Sequence, residues 1–221
     1  MVNDMNTAHS QSPNAGFTLL ELLTAAAIAS LLIVMLLSVF GQASKAWTSG
    51  ADQVELYQTG RAVLDLMARD LSQVRVQMPN YPFNGAATGV TFYAAVSDPP
   101  VLSDLDRVQY SWSAANGTLT RTNTPLGGPP SGTSLITSNL VFFYLSYRTN
   151  NASHSLTKYS LTYNTTTANS NAPAAVEVTL GLLSSRAAAA YWPASASARM
   201  NITSANLRVF TEMIYLPNSQ P

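Results

Sequence analysis

Residues 16–40 read GFTLLELLTAAAIASLLIVMLLSVF, and this stretch decides the fold of the N-terminal part of the chain. After Gly16 it contains a single ionisable side chain, Glu21, and neither glycine nor proline. A helix rises about 1.5 Å per residue, so a segment of this length can cross a hydrocarbon core about 30 Å thick. A cleavable secretory signal normally has a shorter apolar region. The sequence therefore predicts one membrane-spanning helix, with a buried core helix and a secretory signal as the alternatives.

Glu21 is the unusual residue of this apolar segment. A carboxylate within a membrane helix costs on the order of 3 kcal/mol, and ionisable residues in such helices usually mark a function. The simpler alternative is that Glu21 lies near the start of the helix and extends its side chain to the interface. That alternative explains membrane insertion, but it does not explain the sequence GFTLLE at residues 16–21.

The stretch GFTLLELL at residues 16–23, followed by a long apolar run, resembles the N-terminal signal of type IV pilins and of type II secretion pseudopilins. The resemblance implies that a prepilin peptidase cuts between Gly16 and Phe17 on the cytoplasmic side and then methylates the new amine of Phe17. Glu21 would become the fifth residue of the mature chain, a position that this family reserves for glutamate. Residues 1–16 would then be a leader peptide.

Cleavage would create a positive amine at Phe17, close in sequence to Glu21. Each of these charges is costly alone in an apolar environment, and pairing offsets the cost only in a suitable geometry. In a packed filament the Glu21 carboxylate of one subunit can pair with the amine of a neighbour. We therefore expect Glu21 to set the axial register of assembly.

The few charged residues of the chain are unevenly distributed. The 221 residues include 11 Lys and Arg and 11 Asp and Glu, which gives a formal net charge of zero and a charged fraction of only 10%. Among these residue types the leader holds Asp4 alone, and the first basic residue is Lys45. The preference for positive charge on the cytoplasmic side is therefore weak at this end of the helix, and the basic residues from Lys45 onward favour the opposite orientation. The neutral balance also argues against a surface that attracts nucleic acid.

Helical periodicity continues beyond the apolar segment. Apolar residues recur at steps of three and four between residues 56 and 78, which is the period of one helical face. Helical signals persist through Gln77, and Pro79 ends the pattern. The sequence thus predicts one stem helix with a transmembrane half at residues 17–41 and an amphipathic half at residues 42–79. Gly60 is expected to soften the helix locally.

Residues 80–221 consist of short alternating segments separated by Pro, Gly, Asn and Ser. Asn116 and Gly117 predict a tight hairpin, because both residue types tolerate positive φ. Further strands are predicted at residues 90–96, 140–147, 159–163, 176–182 and 207–216, while residues 186–199 form either a short helix or a loop. The predicted fold class is α+β: a long hydrophobic-to-amphipathic N-terminal helix carrying a C-terminal antiparallel β head, as in pilins.

Within the family, the order of segments most resembles that of J-type minor pseudopilins. The segments that carry this resemblance are GRAVLDLMARDLSQV at residues 60–74, VQYSWSAANGTLTR at 108–121, LVFFYLSYR at 140–148 and APAAVEVTLGL at 172–182. Pilin-like proteins of Verru_Chthon cassettes, whose role is unknown, look similar through the stem. The J-type resemblance implies a structural subunit at or near the tip of a type II secretion pseudopilus, which supports filament initiation and protein export. A minor pilin of a type IV pilus or competence system is the alternative.

The same resemblance implies a location and a set of partners. It implies a single pass through the inner membrane, a head in the periplasm and assembly into a periplasmic filament. The implied partners are other major and minor pseudopilins through the stem helix, the prepilin peptidase and the inner-membrane assembly platform. No nucleic-acid partner is expected.

The sequence offers little for catalysis. It contains no cysteine and two histidines, His9 in the leader and His154 in a polar loop, which is too few for the usual thiol or histidine chemistry. Asp98, Asp104 and Asp106 are weak candidates for a metal site, but their spacing does not match the EF-hand pattern, and a solvated turn is favoured. No cofactor is predicted, and we expect the chain not to be an enzyme.

Overall fold

The computed structural model describes residues 16–75, 81–95, 105–129, 132–150, 156–165 and 172–216. The chain divides into two compact units, Met1–Ser49 and Gly50–Pro221. A single long helix, α1 (Leu19–Ser72), begins in the first unit and ends in the second. The remaining helices and strands all lie in the second unit.

In the first unit α1 is apolar on all sides. Its large side chains between Leu19 and Phe40 are exposed, and none of its most apolar stretch is buried. A helix that is hydrophobic all round needs an apolar environment, which is a lipid bilayer or the interior of an assembly. By length and composition it is the one helix of the described residues that can cross a membrane.

In the second unit α1 buries one face, as the three- and four-residue periodicity predicts. The residues that this face buries are Leu56, Gly60, Val63, Leu64, Met67, Asp70 and Leu71. Gly60 permits close packing, because a Cβ atom added to it would lie 2.9 Å from the ring of Phe210. The expectation that Gly60 softens the helix stays a prediction.

Helix α1 ends at Ser72, before the end that the sequence predicts at Gln77. Val74 forms an isolated antiparallel bridge with Ala94, and the Arg75 N–H donates to the Tyr93 carbonyl at 2.8 Å. The chain leaves the helix because these backbone groups pair with a strand. The apolar periodicity continues past the helix because Val74 is fully buried after the helix has ended.

The head contains two antiparallel sheets. The first has six strands, which are in spatial order β5 (Gly132–Thr137), β4 (Thr118–Pro125), β3 (Asp106–Ser113), β2 (Gly89–Ala94), β1 (Asn84–Ala86) and β8 (Tyr163–Asn164). The second has four, in the order β10 (Arg208–Tyr215), β9 (Ala175–Leu182), β6 (Leu140–Asn150) and β7 (Leu156–Ser160). The predicted α+β class with an antiparallel head is confirmed.

The predicted hairpin at Asn116 and Gly117 joins β3 to β4. Gly117 has a φ of 66°, and its N–H donates to the Ser113 carbonyl at 2.9 Å. The strand predicted across residues 159–163 is wrong as one element, because β7 and β8 belong to different sheets. At the break between them the Ser160 hydroxyl donates to the Thr162 carbonyl at 2.6 Å. The predictions also missed β1 and β5.

Residues 186–199, for which a helix and a loop were both possible, contribute to two helices, α2 (Ser185–Tyr191) and α3 (Ala196–Asn206). Ser184 caps α2, since its hydroxyl accepts the Ala187 N–H at 3.3 Å. The side chain of Arg199 in α3 donates to the carbonyls of Tyr191 and Trp192. These bonds hold the two helices together and satisfy carbonyl groups at the end of α2.

An aromatic cluster fills the core between the sheets. Phe83 has its ring centroid 6.0 Å from that of Phe92 and 5.9 Å from that of Tyr147. The Tyr147 hydroxyl donates to the Ala86 carbonyl at 2.9 Å. Burial raises the pKa of Tyr147 above its ordinary value, because the phenolate would be poorly solvated.

Candidate assembly site at the start of the first helix

The Gly16–Phe17 peptide bond lies before α1. Residues 16–18 are neither helix nor strand, and the Phe17 side chain is 77% exposed. A Cβ atom added to Gly16 would meet nothing within 4 Å. Exposed irregular segments are the sites where proteases cut most readily, because their backbone can extend into an active site. The geometry of this junction therefore permits the predicted cleavage.

Thr18 caps the first turn of α1. Its hydroxyl accepts the Glu21 N–H at 3.3 Å, and its carbonyl accepts the Leu22 N–H at 3.2 Å. A threonine in this place satisfies a backbone donor that has no partner within the helix. Thr-x-x-Glu at residues 18–21 is also the sequence of a capping box, a signal that our sequence analysis overlooked.

Glu21 lies in the first turn of α1, where a carboxylate faces the positive end of the helix dipole. Its backbone carbonyl accepts a hydrogen bond from the Thr24 hydroxyl at 3.0 Å. Within the described part of the chain, the Glu21 carboxylate has no hydrogen-bond or ion-pair partner. Gly16, Phe17 and Glu21 thus lie together at one end of α1.

A second polar cluster, which the sequence analysis missed, joins the other end of α1 to the six-stranded sheet. The Asp70 carboxylate is fully buried and accepts from the Tyr110 hydroxyl at 2.7 Å and from Arg121 Nε at 2.6 Å. Arg69 approaches the other carboxylate oxygen of Asp70 at 3.4 Å. The paired geometry offsets the cost of burying these charges.

Burial raises the pKa of Tyr110 well above its ordinary range, and the neighbouring charge of Asp70 acts in the same direction. Tyr110 therefore stays protonated and serves as a donor to Asp70. One signal in the sequence could have found this cluster, because Asp70 is an acid on the apolar face that carries Met67 and Leu71. We assign the cluster a structural role in attaching α1 to β3 and β4.

Of the three aspartates considered for a metal, only Asp106 lies among the described residues; Asp98 and Asp104 lie outside them, as does His154. Asp106 begins β3, is fully buried and accepts from the Asn123 side-chain amide at 2.7 Å. Within the described ranges no group of three or more His, Cys, Asp or Glu residues is arranged to hold a metal. Asp106 is thus part of the packed head.

Comparison with known proteins bears on the start of the chain. A model described as the prokaryotic N-terminal methylation motif matches residues 11–37. No curated protein matches the sequence. Among solved structures, a chain in the crystal structure of the GspK-GspI-GspJ complex from the enterotoxigenic Escherichia coli type 2 secretion system is similar, with 15% identity and a TM-score of 0.40. The similarity covers 73% of this chain and 98% of that one.

The matched motif includes the junction at Gly16 and Phe17, the cap at Thr18 and the carboxylate of Glu21. The predicted prepilin-type N-terminal signal is therefore confirmed as a motif. The individual roles of Gly16, Phe17 and Glu21 stay predictions.

Proposed function

Because a prokaryotic N-terminal methylation motif leads into a long apolar helix, and an antiparallel β head follows, we propose that this chain is a pilin-like structural protein and a minor subunit of a type II secretion pseudopilus. The observation that carries the proposal is the start of α1, where the motif, an accessible junction and a carboxylate precede an unburied apolar helix. A filament subunit needs these features for storage in the membrane and for assembly. It needs no catalytic group of its own.

Processing is the first step of the proposed function. A prepilin peptidase removes residues 1–16 by cutting the Gly16–Phe17 bond, and the new amine of Phe17 is methylated. Support comes from the position of this bond before α1 and from the exposure of Phe17. Thr18 keeps its capping bonds to Glu21 and Leu22 after the cut, since none of these residues belongs to the leader.

Anchoring is the second step. The apolar part of α1 crosses the inner membrane once, with Phe17 towards the cytoplasm and the head in the periplasm. The exposure of every large side chain between Leu19 and Phe40 supports this location, because such a surface is unfavourable in water. In this proposal the leader is residues 1–16 and the transmembrane half of the stem helix is residues 17–41. Residues 42–79 contain the amphipathic half of that helix, which ends at Ser72, and residues 80–221 are the head.

Assembly is the third step. The inner-membrane platform moves the subunit into a filament, where its stem helix contacts the stems of other major and minor pseudopilins. The Glu21 carboxylate of one subunit pairs with the Phe17 amine of a neighbour. An isolated charge in an apolar filament interior is unfavourable, so the pair favours one axial register over others.

The place of the subunit at or near the filament tip rests on the order of the four head and stem segments that resemble J-type minor pseudopilins. The clearest test is deletion of the gene followed by comparison of the proteins exported with and without it. We expect fewer exported proteins and fewer filaments, both restored by the full chain. Unchanged export together with lost twitching or transformation would instead favour a type IV pilus or competence system.

A further inference from the structure

A second feature of the first unit is a pair of long side chains, those of Lys45 and Trp47, just beyond its apolar segment. Lys45 is the first basic residue of the chain, and Trp47 follows two positions later. The Trp47 side chain is 81% exposed. Lys45 has no ion-pair partner among the described residues. The side chains beside them in sequence, from Ala43, Ser44 and Ala46, are small and exposed, so both long side chains can extend freely.

The spacing between this feature and Glu21 matches the thickness of a bilayer. Trp47 lies 26 positions after Glu21 in an unbroken helix, which at about 1.5 Å per residue gives an axial separation of about 39 Å. A bilayer measures roughly 40–45 Å when its headgroup regions are included. When Trp47 lies in one headgroup region, Glu21 therefore lies in or next to the other.

Lys45 and Trp47 point to different sides of the helix, since two positions correspond to a rotation of about 200°. Their depths along the axis differ by only about 3 Å. A neighbouring protein helix would cover one side of α1 and leave the other side free. A lipid headgroup layer surrounds the helix at one depth, and so it can receive both residues together.

We propose that Lys45 and Trp47 form an interfacial lipid-binding band that fixes the depth of α1 in the membrane. The indole ring of Trp47 takes the boundary between hydrocarbon and headgroups, where tryptophan is enriched, and the Lys45 ammonium reaches the lipid phosphates. The band holds Glu21 at the opposite boundary, where its carboxylate stays hydrated before assembly. This inference rests on the membrane anchoring that is part of the proposed function.

Because the chain has no cysteine, single cysteines can report the depth of the helix. The experiment uses the full chain in vesicles of phosphatidylethanolamine and phosphatidylglycerol, with Leu36→Cys, Ala46→Cys or Ser49→Cys and a membrane-impermeant maleimide. We expect rapid labelling at residue 49, slow labelling at residue 46 and none at residue 36. Adding Trp47→Ala should change the labelling rate at residue 46 at least threefold, whereas Trp47→Tyr should retain the slow rate.

Fluorescence quenching gives a second readout. The spectrum of the full chain minus that of a Trp47→Phe variant isolates Trp47 from Trp112 and Trp192. We expect lipids brominated near the headgroup to quench Trp47 more strongly than lipids brominated at the chain end, at protein dilutions where subunits do not touch. Quenching that is strongest from the chain ends would overturn the proposal.

Two further outcomes would also overturn it, and they separate it from the proposed function. If residue 36 is protected but Trp47→Ala leaves the labelling at residue 46 unchanged, anchoring stands and the lipid band fails. The same holds if Trp47 is shielded only at high protein density, which would indicate a neighbouring subunit. If all three cysteines label equally and alkaline carbonate extracts the chain, membrane anchoring itself fails.

Discussion

At the scale of single residues, Glu21 is the side chain on which we propose that assembly depends. It is the one carboxylate of the apolar segment, and it lies in a capped first turn without a partner in the described chain. In the proposed function, its position beside Phe17 matters only after the leader is removed, because cleavage creates the amine. Under that proposal, a residue that is unfavourable in an isolated membrane helix gains a favourable partner in a filament.

Neutralising Glu21 should separate processing from assembly. For Glu21→Gln, which keeps the shape and removes the charge, we expect normal cleavage and membrane insertion but at least a tenfold loss of incorporation into filaments. Breaking a buried pair leaves one charge uncompensated, at a cost of about 3–5 kcal/mol. Co-purification with neighbouring subunits measures incorporation, and Glu21→Asp is the control that keeps the charge. Normal incorporation of Glu21→Gln would show that the pair does not set the register.

Thr18 should stabilise the first turn without deciding cleavage. Thr18→Ala removes the hydroxyl that accepts the Glu21 N–H, and loss of such a cap costs about 1 kcal/mol. We expect hydrogen exchange at the Glu21 amide to become roughly fivefold faster in detergent micelles, while Thr18→Ser stays close to the original rate. An unchanged exchange rate in Thr18→Ala would show that the cap is not populated.

Tyr110, the buried tyrosine of the polar cluster, should make the stability of the head depend on pH. Burial and Asp70 raise the pKa of Tyr110 above its ordinary value of 10.0, so only the unfolded chain loses this proton just above that pH. The free energy of unfolding should therefore fall as pH rises beyond about 10, with full stability below it.

Thermal unfolding of the full chain between pH 8 and pH 11 tests this dependence. Tyr110→Phe should lose stability at neutral pH, because Asp70 loses a donor, and should show a shallower decline at high pH. Tyr147→Phe is the comparison variant: the pKa of Tyr147 is also raised, by burial alone, so its removal should make the decline shallower as well but leaves Asp70 with its donor. An equally steep decline in Tyr110→Phe would assign the effect to other groups.

At the scale of elements, the hairpin between β3 and β4 depends on Gly117 for two reasons. Its φ is 66°, and a Cβ atom there would overlap the ring of Trp192 and lie 2.7 Å from the backbone carbonyl of Leu140. Gly127 has a similar φ of 80°, but an added Cβ would meet nothing within 4 Å. Comparing an alanine substitution at Gly117 with one at Gly127 therefore separates the cost of a positive φ from the cost of a steric clash.

Gly117→Ala should destabilise the head more than Gly127→Ala does. Positive φ alone costs alanine about 1 kcal/mol, so we expect a small shift for Gly127→Ala. Displacement of Trp192 should add another 1–3 kcal/mol for Gly117→Ala, as overpacking commonly does. Urea unfolding of both variants measures the difference, and equal free energies of unfolding would mean that the Trp192 contact is unimportant.

The sequence predicts elements well where local chemistry decides them. Asn116 and Gly117 specify their turn regardless of the rest of the head, and the apolar segment at residues 17–40 specifies a helix by itself. The sequence predicts elements poorly where the pairing of strands in the folded head decides them. Residues 159–163 alternate in the same way whether they form one strand or contribute to two sheets, and β5 is rich in Ser, Thr and Gly because four of its six residues are exposed.

The same distinction between local chemistry and tertiary pairing applies to the residues of the two polar sites. Gly16, Phe17 and Glu21 are recognisable from their spacing, because the features that matter lie within six consecutive residues. The cluster of Asp70 and Arg121 combines residues 51 positions apart, so it depends on how the sheet packs on α1. A single sequence shows that Asp70 is on an apolar face, but it does not show which residue pairs with it.

At the scale of the whole molecule, the two units need different surroundings. Among the described residues, all the buried hydrophobic side chains that form the core lie between Leu56 and Leu216, which is within the second unit. The described part of the first unit, residues 16–49, contributes nothing to this core, so its apolar surface requires lipid or other subunits. The chain therefore combines a second unit that has its own core with an apolar segment that has none among its described residues.

The second unit, residues 50–221, should fold without the first unit. We expect a fragment of residues 50–221 to be soluble and to unfold within about 3 °C of the head of the full chain in detergent, since a difference below 1 kcal/mol shifts the melting temperature only by a few degrees. Alkaline carbonate should leave the full chain in the membrane fraction. A fragment that aggregates or melts far earlier would show that the first unit contributes to the fold of the head.

The central claim is that this chain is processed as a filament subunit at its N-terminus, and the mass of that terminus tests it most directly. Expressed with a prepilin peptidase and purified from membranes, the chain should begin at Phe17 and carry one added methyl group on the Phe17 amine. Without the peptidase it should retain residues 1–16. A chain that keeps its leader in the presence of an active peptidase, or is cut elsewhere, would contradict the assignment.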